Sequence, residues 1–258
     1  MTGYFDIEHV TQKFGGIVAL DDMTVSVNEG EVFGVIGPNG AGKTTLLNCI
    51  CGVYLPATGR VVLSGETLTG RRPHRVAEAG IARTFQHADF FAEMTVLDFL
   101  MLSRLPHQTT SLTLCALGLP GTRRREKAER RRAVETLERF GLGSIKRADL
   151  GNLPYGTRKV VDICRALMTE PKVLLMDEPT SGTSATDREL LRDLIITLRD
   201  DGLTTVVVDH DVAFITDVCD RLLAMNFGKA LAVGTPAEVL ARQDVVEAYV
   251  GLETAAGA

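Results

Sequence analysis

The stretch that decides the fold of this chain is Gly37-Pro38-Asn39-Gly40-Ala41-Gly42-Lys43-Thr44-Thr45. It follows the apolar run 32–36, which predicts a strand, and its last residues open a predicted helix. The glycines let successive N–H groups point inward, and the helix adds the positive end of its dipole. A Gly-rich turn that only joins a strand to a helix is the alternative. The complete Gly-x4-Gly-Lys-Thr pattern favours a loop that binds the phosphates of a nucleoside triphosphate.

Two side chains of this loop have separate predicted roles. The Lys43 ammonium group would neutralise the outer phosphates, and the Thr44 hydroxyl would be a ligand of Mg²⁺. We expect all nine residues from 37 to 45 to contact the nucleotide.

Length and charge narrow the class of protein. A chain of 258 residues has room for one or two domains. A net charge of -5 argues against a general nucleic-acid surface, so we expect no nucleic-acid partner. The sequence has neither a membrane-spanning apolar stretch nor a secretory signal, which predicts a cytoplasmic location. Five cysteines in apolar or helical surroundings are predicted to be buried thiols: Cys49, Cys51, Cys115, Cys164 and Cys219.

The strand patterns predict an α/β fold. Residues 5–10 and 23–27 alternate between apolar and polar, as in a half-exposed antiparallel sheet. Residues 173–176 and 204–208 are continuously apolar, as in a parallel sheet covered on both faces.

Between residues 88 and 153 the strand signals vanish, which predicts a helical insertion. Thr95 and Asp98 have the spacing of a capping box that opens a helix. The basic run 123–132 contains interspersed glutamates, which favours a solvated helix over a lipid-binding or RNA-binding patch. Residues 107–122 are predicted to form a loop, to which we assign no role.

A second chemical motif ends the apolar run 173–176 with two adjacent carboxylates, Asp177 and Glu178. Neighbouring residues of a strand face opposite sides, so the two acids can do different work. Asp177 would reach Mg²⁺, directly or through water, and Glu178 would polarise the attacking water. The alternative is an ordinary acidic junction between a strand and a loop.

Together these motifs resemble the nucleotide-binding subunit of an ABC transporter, over nearly the whole chain. The resemblance implies an α/β P-loop NTPase core of the RecA-like kind, with an N-terminal antiparallel β subdomain and an inserted α-helical subdomain. It further implies that Phe14 stacks on the adenine of ATP, that Gln86 contacts Mg²⁺ and the attacking water, and that His210 binds the γ-phosphate. Residues 1–258 would form one ABC ATPase domain, with its core in 1–87 and 158–258 and its helical insertion in 88–157.

Within that superfamily the chain is most similar to the ATPases of branched-chain amino acid importers. The similarity is carried by residues 14–16, 82–87, 93–96 and 152–156, and by the tail at 234–236 and 245–251. Related subunits serve urea uptake and lipopolysaccharide export, so the solute does not follow from these motifs.

Two segments depart from the family pattern. The family signature reads Leu-Ser-Gly/Tyr-Gly-Gln, whereas this chain has Leu153-Pro154-Tyr155-Gly156-Thr157. In the family the serine hydroxyl meets the γ-phosphate held by the opposite subunit, and Pro154 has neither a hydroxyl nor an N–H. The loop 180–184 also has Thr183 and Ser184 where Leu followed by Asn or Asp is usual.

Both departures lie on elements that the family offers to a partner subunit, so we predict a heterodimer with a second ABC ATPase subunit. A homodimer that tolerates Pro154 is the alternative. The resemblance implies a Mg²⁺-dependent ATP hydrolase at the cytoplasmic face of the membrane. It would drive import through permease subunits supplied by an extracytoplasmic substrate-binding protein. The rival functions are a weakly hydrolysing nucleotide-binding regulatory subunit and a soluble ABC ATPase outside transport.

Overall fold

Two β-sheets organise the part of the chain that a computed structural model describes, residues 3–85, 91–103 and 120–248. The strands are β1 (Phe5–Phe14), β2 (Ile17–Val27), β3 (Val32–Ile36), β4 (Thr58–Leu63), β5 (Glu66–Thr67), β6 (Ile81–Arg83), β7 (Val173–Asp177), β8 (Thr204–Val208), β9 (Arg221–Asn226) and β10 (Lys229–Gly234). The helices are α1 (Lys43–Ile50), α2 (Pro73–Glu78), α3 (Val96–Leu102), α4 (Pro120–Arg139), α5 (Tyr155–Leu167), α6 (Ala185–Asp200), α7 (Val212–Val218) and α8 (Pro236–Leu240).

The larger sheet has the order β10-β9-β3-β8-β7-β6. Its strands run parallel from β9 through β6, and β10 pairs antiparallel at the edge. Every residue of β3, β7 and β8 is buried, as expected for strands covered on both faces. The α/β prediction and its parallel core are therefore confirmed.

The smaller sheet has the order β2-β1-β4-β5 and is antiparallel. The predicted strands 5–10 and 23–27 lie inside β1 and β2, which are longer than predicted. Alternate residues of strand β3 pack into two different hydrophobic cores. Val32 and Ile36 belong to the cluster that contains α5 and α6, while Phe33 and Val35 pack with β1, β2 and α1. This arrangement holds the loop after β3 between the two sheets.

The described residues between 91 and 157 are helical apart from turns and one isolated bridge, Thr95 to Asp149. Thr95 caps α3 by accepting from the Asp98 N–H at 3.2 Å, as the sequence predicted. The Thr95 hydroxyl also donates to the Asp98 carboxylate at 2.6 Å, so the structure shows the N-cap of the predicted capping box but not its reciprocal backbone contact. Helix α4 begins at Pro120, so the predicted loop 107–122 is wrong for its last three residues, and residues 107–119 lie outside the described ranges.

The four cysteines in the described residues are free thiols, and burial raises the pKa of each one: Cys49, Cys51, Cys164 and Cys219. Burial brings the pKa of Cys49 to about 11 and that of Cys164 to about 12. Such thiols are unreactive near neutral pH because they carry little thiolate. Cys51 is half-buried and less enclosed than predicted, and Cys115 lies outside the described residues.

Candidate nucleotide-binding site

The loop from Gly37 to Gly42 joins β3 to α1, which begins at Lys43. Gly42 has φ +102, and a Cβ there would lie 2.5 Å from the Ala19 carbonyl oxygen. Gly37 is similarly enclosed, because its Cβ would lie 2.4 Å from the Met225 oxygen. The loop is therefore pressed against β2 and β9 at positions where no other residue type fits.

Lys43 is 7% exposed, and its Nζ donates to the carbonyl oxygens of Gly37 at 2.6 Å and Pro38 at 2.9 Å. Burial lowers the pKa of Lys43, although the nearby carboxylates of Glu178, Asp177 and Asp209 act in the opposite direction. The ammonium group thus lies inside the loop, among three acids, where a phosphate would replace carbonyl oxygens as its partner.

Asp177 ends β7 and is 3% exposed. Its Oδ2 accepts from the Arg83 guanidinium at 2.7 Å, and the same guanidinium donates to the Asn48 side chain at 2.7 Å. Asn48 lies on α1, directly behind the phosphate loop. Arg83 therefore ties the end of β6 to both the acid and the loop helix. Sequence reasoning assigned no role to Arg83 or Asn48, because residues 83 and 177 are 94 positions apart.

Glu178 lies beyond the end of β7 and has φ +49, in the left-handed region that non-glycine residues rarely occupy. Its N–H donates to the Val208 carbonyl at 2.7 Å, and the Lys159 ammonium donates to its carbonyl at 3.3 Å. The expected alternation of strand faces is therefore not what separates the two acids. A sharp turn after Asp177 turns the Glu178 side chain away instead, and this strain is of the kind found at functional sites.

A cavity of about 330 Å³ lies against the phosphate loop. The lining residues that the sequence predicted for the site are Asn39, Gly40, Ala41, Gly42, Lys43, Thr44, Thr45 and Glu178. Ile17, Val18, Ala19 and Phe227 add an apolar wall. The sequence analysis did not predict this wall. In the structure Phe227 is 81% exposed and has φ +45, and both properties are unusual for a large aromatic residue.

His210 follows β8, and its side chain is 59% exposed. The ring Nδ1 lies 3.6 Å from Oδ1 of the fully buried Asp209, which also accepts from the His210 N–H at 2.7 Å. The other Asp209 oxygen accepts from the Thr180 hydroxyl at 2.8 Å and the Thr180 N–H at 3.0 Å. Asp209 thus fixes the backbone of two loops, one after β7 and one after β8. The sequence analysis assigned no role to Asp209.

Two further predicted site residues, Phe14 and Gln86, are not among the residues that line this cavity in the described part of the chain. Phe14 ends β1, is partly exposed and packs edge-on against Tyr54, with the ring centroids 5.1 Å apart. It does not line the cavity described above, so its predicted contact with adenine stays a prediction. Gln86 lies outside the described residues.

The described oxygen donors fit a magnesium ion. Mg²⁺ prefers hard oxygen ligands and keeps several of its waters. Thr44 is an exposed residue in the first turn of α1, and Asp177 presents a buried carboxylate whose Oδ2 already accepts from Arg83. A bound Mg²⁺, or one of its waters, would use the remaining oxygen of Asp177. The positive charge of the ion would polarise the phosphates toward attack.

The signature segment forms the N-terminus of α5. Pro154 is the N-cap residue, with φ -53 and ψ 147, and offers no side-chain acceptor to the first turn. The Arg158 guanidinium donates to the carbonyl oxygens of Leu153 at 2.9 Å and Gly151 at 3.2 Å, which anchors the segment from behind. The N–H groups of Tyr155, Gly156 and Thr157 therefore remain the donors that this helix end offers an anion.

The signature segment packs against the loop 180–184 and the first turn of α6. A Cβ on Gly156 would lie 2.0 Å from the Asp187 side chain, and Tyr155 lies against Gly182. Ser184 caps α6 in a capping box with Asp187, and the Thr183 hydroxyl donates to the Thr180 carbonyl at 2.6 Å. Thr183 and Ser184 therefore stabilise this loop locally, as Asn or Asp can at a helix start.

Comparison with known proteins identifies the class that this fold and site define. The family model described as ABC transporter matches residues 20–181. The chain therefore belongs to the ABC transporter family of ATP-binding subunits, whose general activity is ATP hydrolysis that powers a transporter.

Among the relatives, the high-affinity branched-chain amino acid transport ATP-binding protein BraF of Pseudomonas aeruginosa is 34% identical over 247 residues, which cover 95% of this chain and 97% of BraF. The corresponding protein LivG of Escherichia coli is 35% identical, over 95% of this chain and 96% of LivG. The lipopolysaccharide export system ATP-binding protein LptB of Haemophilus influenzae is 33% identical, over 95% of each chain.

Solved structures give the same result for the fold. A crystal structure of an ATP-binding cassette of an ABC transporter in its ADP conformation has a TM-score of 0.86 and 32% identity, over 97% of this chain and all of that one. A nucleotide-free cassette has a TM-score of 0.85 and 32% identity, over 96% and 99%. ABC subunits of this kind are peripheral to the membrane. None of the helices in the described ranges is long and apolar enough to cross a bilayer.

Proposed function

We propose that this chain is the ATPase of an importer for branched-chain amino acids or related small polar solutes, held at the cytoplasmic face of the membrane. The observation that carries the proposal is the buried Lys43 inside a phosphate loop that shares a cavity with Glu178. The similarity to BraF and LivG over almost the full chain supports the solute class.

The proposed chemistry divides the work among the described residues. Lys43 and the loop N–H groups bind the phosphates of ATP, and Thr44 and Asp177 hold Mg²⁺. Glu178, placed in the cavity by its left-handed backbone, orients and polarises the attacking water. His210 binds the γ-phosphate from the turn that Asp209 fixes. Gln86, which lies outside the described residues, would contact Mg²⁺ and the water, as the family resemblance implies.

A second cavity suggests where permease subunits dock. It has a volume of about 490 Å³, and its lining includes Val53, Val76, Ile81 and Phe85, with Arg83 beside them. The Arg83 guanidinium binds Asp177 at 2.7 Å, so a permease segment seated here would lie one side chain away from the proposed magnesium ligand. This contact offers a short route between solute transport and ATP hydrolysis.

The partner that completes the ATP site is, in this proposal, a different ABC ATPase subunit with an intact signature. Pro154 supports this because a site closed by it has no serine hydroxyl for the γ-phosphate. Losing a hydrogen bond to a charged group costs about 1.5–3 kcal/mol, which is roughly a ten- to hundredfold loss in closure. A weakly hydrolysing regulatory subunit remains the second candidate, favoured by the same residue.

Reconstitution tests the proposal. The chain would be coexpressed with its permeases, a second ATPase subunit and the substrate-binding protein, and ATP hydrolysis would be measured in proteoliposomes. We expect leucine, isoleucine or valine to stimulate hydrolysis, and urea to have no effect. The Glu178→Gln complex is the matched control, because it should assemble without turning over. Stimulation by urea alone, or no dependence on permeases, would overturn the proposal.

A further inference from the structure

Two faces of helix α4 carry basic side chains in different settings. On one face the cations are ion-paired with other parts of the chain. Arg132 pairs with Glu170, which follows α5, and Arg139 pairs with Asp201, at the end of α6. These contacts attach α4 to the ATPase core, so that face has a structural role.

The other face forms what we term the cationic surface. Its basic side chains surround a concavity of about 340 Å³ and come from two segments: Lys127, Arg130, Arg131, Lys146 and Arg147. Leu97 and Val134 line the same concavity. Within the described ranges, the only ion pair these five cations make is between Arg131 and Glu135, at 3.4 Å.

The two segments are held together by the backbone. The Leu97 N–H donates to the Lys146 carbonyl at 3.0 Å, and the Val96 N–H donates to the Ala148 carbonyl at 3.0 Å. Lys146 and Arg147 are therefore fixed to the start of α3, beside the stripe 127, 130, 131 and 134 of α4. A run that the sequence favours as a solvated helix thus becomes one part of a surface built from three elements.

We propose that the cationic surface binds the headgroups of anionic phospholipids. The chain as a whole has a net charge of -5, so this attraction is local to the surface. Its cations are long and mostly exposed, which suits diffuse attraction to a charged plane. The apolar floor of Leu97 and Val134 suits the glycerol and upper acyl region of a lipid better than it suits an acidic peptide. The proposal goes beyond the proposed function and depends on its membrane location, but not on the transported solute.

Vesicle binding tests the proposal on the full chain. Binding would be measured by cosedimentation with vesicles of phosphatidylcholine alone and with vesicles containing phosphatidylglycerol. We expect binding to the anionic vesicles only, falling steeply as salt is raised. Lys146→Gln with Arg147→Gln should weaken binding to the anionic vesicles by roughly tenfold or more, since each cation near a charged membrane strengthens binding several-fold. Lys127→Gln with Arg130→Gln should do the same.

The matched control is Arg132→Gln with Arg139→Gln, which removes the same charge from the opposite face of α4. It should change vesicle binding by less than about threefold. Thermal unfolding and ATP binding of every variant check that the fold is kept. Equal binding to both kinds of vesicle, or equal loss in the control, would overturn the proposal.

A polyglutamate peptide distinguishes a protein partner from a lipid. If the wild-type chain binds polyglutamate and not anionic vesicles, the cationic surface is a protein-binding site and the lipid proposal fails. Failure here leaves the proposed function standing when permeases still stimulate hydrolysis in the reconstituted complex. Conversely, vesicle binding by a chain that permeases do not stimulate would support this inference alone.

Discussion

The phosphate-loop region and the signature segment are both proposed to bind phosphates of ATP, but their side chains are arranged very differently. Around the loop, side chains are buried and bonded: Lys43 to two carbonyl oxygens, Asp177 to Arg83, and Asp209 to Thr180. At the signature segment, Pro154 gives the helix no side-chain cap. The described residues around the phosphate loop keep the side chains that the family motifs require, whereas the segment that the family offers to a partner lacks the signature hydroxyl. Paired with a subunit that has an intact signature, as in the proposed heterodimer, the chain would form two unequal ATP sites.

The backbone of the signature segment is nevertheless well supported. Arg158 anchors it from behind, and Gly156 packs against Asp187 without room for a side chain. The helix end therefore keeps the geometry for binding an anion through N–H groups. Pro154 removes two donors, the serine hydroxyl and the backbone N–H at the N-cap, but leaves the helix end in place. The comparison therefore predicts reduced closure of the ATP site and not a collapsed segment.

The largest expected effect is that of Lys43→Ala in the phosphate-loop region. Removing the ammonium group eliminates charge-assisted hydrogen bonds to the phosphates, so ATP affinity should fall roughly a hundredfold or more, and hydrolysis with it. Nucleotide titration measures the loss. Circular dichroism should be unchanged, because the charge lies in a loop and not among apolar side chains. An unchanged affinity for ATP would contradict the assignment of residues 37–45 as the phosphate loop.

The same variant should also change how the stability of the chain depends on pH. Burial lowers the pKa of Lys43 below its ordinary value of 10.5, so the folded chain releases this proton at lower pH than the unfolded chain does. Between those two pKa values the unfolded state binds more protons, and the free energy of unfolding should rise with pH. Lys43→Ala should lack this rise in the alkaline range below 10.5. Denaturant unfolding at several pH values compares the two chains.

The next effect sharpens the division between the adjacent acids. Glu178→Gln should retain ATP but lower the hydrolysis rate by at least about 100-fold, since an amide cannot take a proton from water. Asp177→Asn should instead weaken the magnesium-dependent part of ATP binding. Binding and turnover are measured on the same preparations. If Glu178→Gln keeps full activity, another group activates the water.

Arg83→Met tests the contact that the sequence did not reveal. It leaves the buried Asp177 carboxylate without its guanidinium, which should lower the free energy of unfolding by about 3 kcal/mol. Mg²⁺ with ATP should recover part of this loss, because the ion supplies a positive charge at the same carboxylate. Arg83→Lys, the control, should lose less. An equal loss with and without Mg²⁺ and ATP would show that Arg83 has no influence on the metal site.

The elements that carry the predicted site residues follow from patterns that are continuous in the chain. The phosphate loop, the start of α1 at Lys43 and the strand before Asp177 follow from local spacing and apolar runs. The contacts of Arg83 and of Asp209 join segments 94 and 29 positions apart, so no local pattern predicts them. They arise because parallel strands β6, β7 and β8 bring their carboxyl ends to one edge of the sheet.

The turn at Glu178 shows a different limit. Glu178 lines the cavity at the phosphate loop because its backbone is left-handed, and Glu is not a residue type that signals such a conformation. Phe227 has the same property, with φ +45 in the turn between β9 and β10. Both residues line the cavity at the phosphate loop, so strained turns complete a site that regular elements begin.

The smallest expected effect comes from restoring the missing hydrogen-bond donors of the signature segment. Two copies of this chain would pair two complete phosphate loops with two signature segments that lack a hydroxyl, so the purified chain should bind ATP and hydrolyse it slowly. Pro154→Ser returns a hydroxyl and a backbone N–H at the N-cap of α5, where a serine side chain can reach an incoming phosphate. At about 1 kcal/mol for each donor, the hydrolysis rate should rise roughly tenfold or more.

Pro154→Ala is the matched control for that substitution, because it restores the N–H without the hydroxyl. Its rate should lie between those of the wild type and Pro154→Ser, which separates the two donors. Coexpression with a partner subunit that has an intact signature should raise wild-type activity without any substitution. If the wild-type chain alone hydrolyses ATP rapidly and neither variant nor partner changes the rate, the two sites are equal and the heterodimer proposal fails. The family assignment would stand in that case, because it rests on the fold and the phosphate loop and not on Pro154.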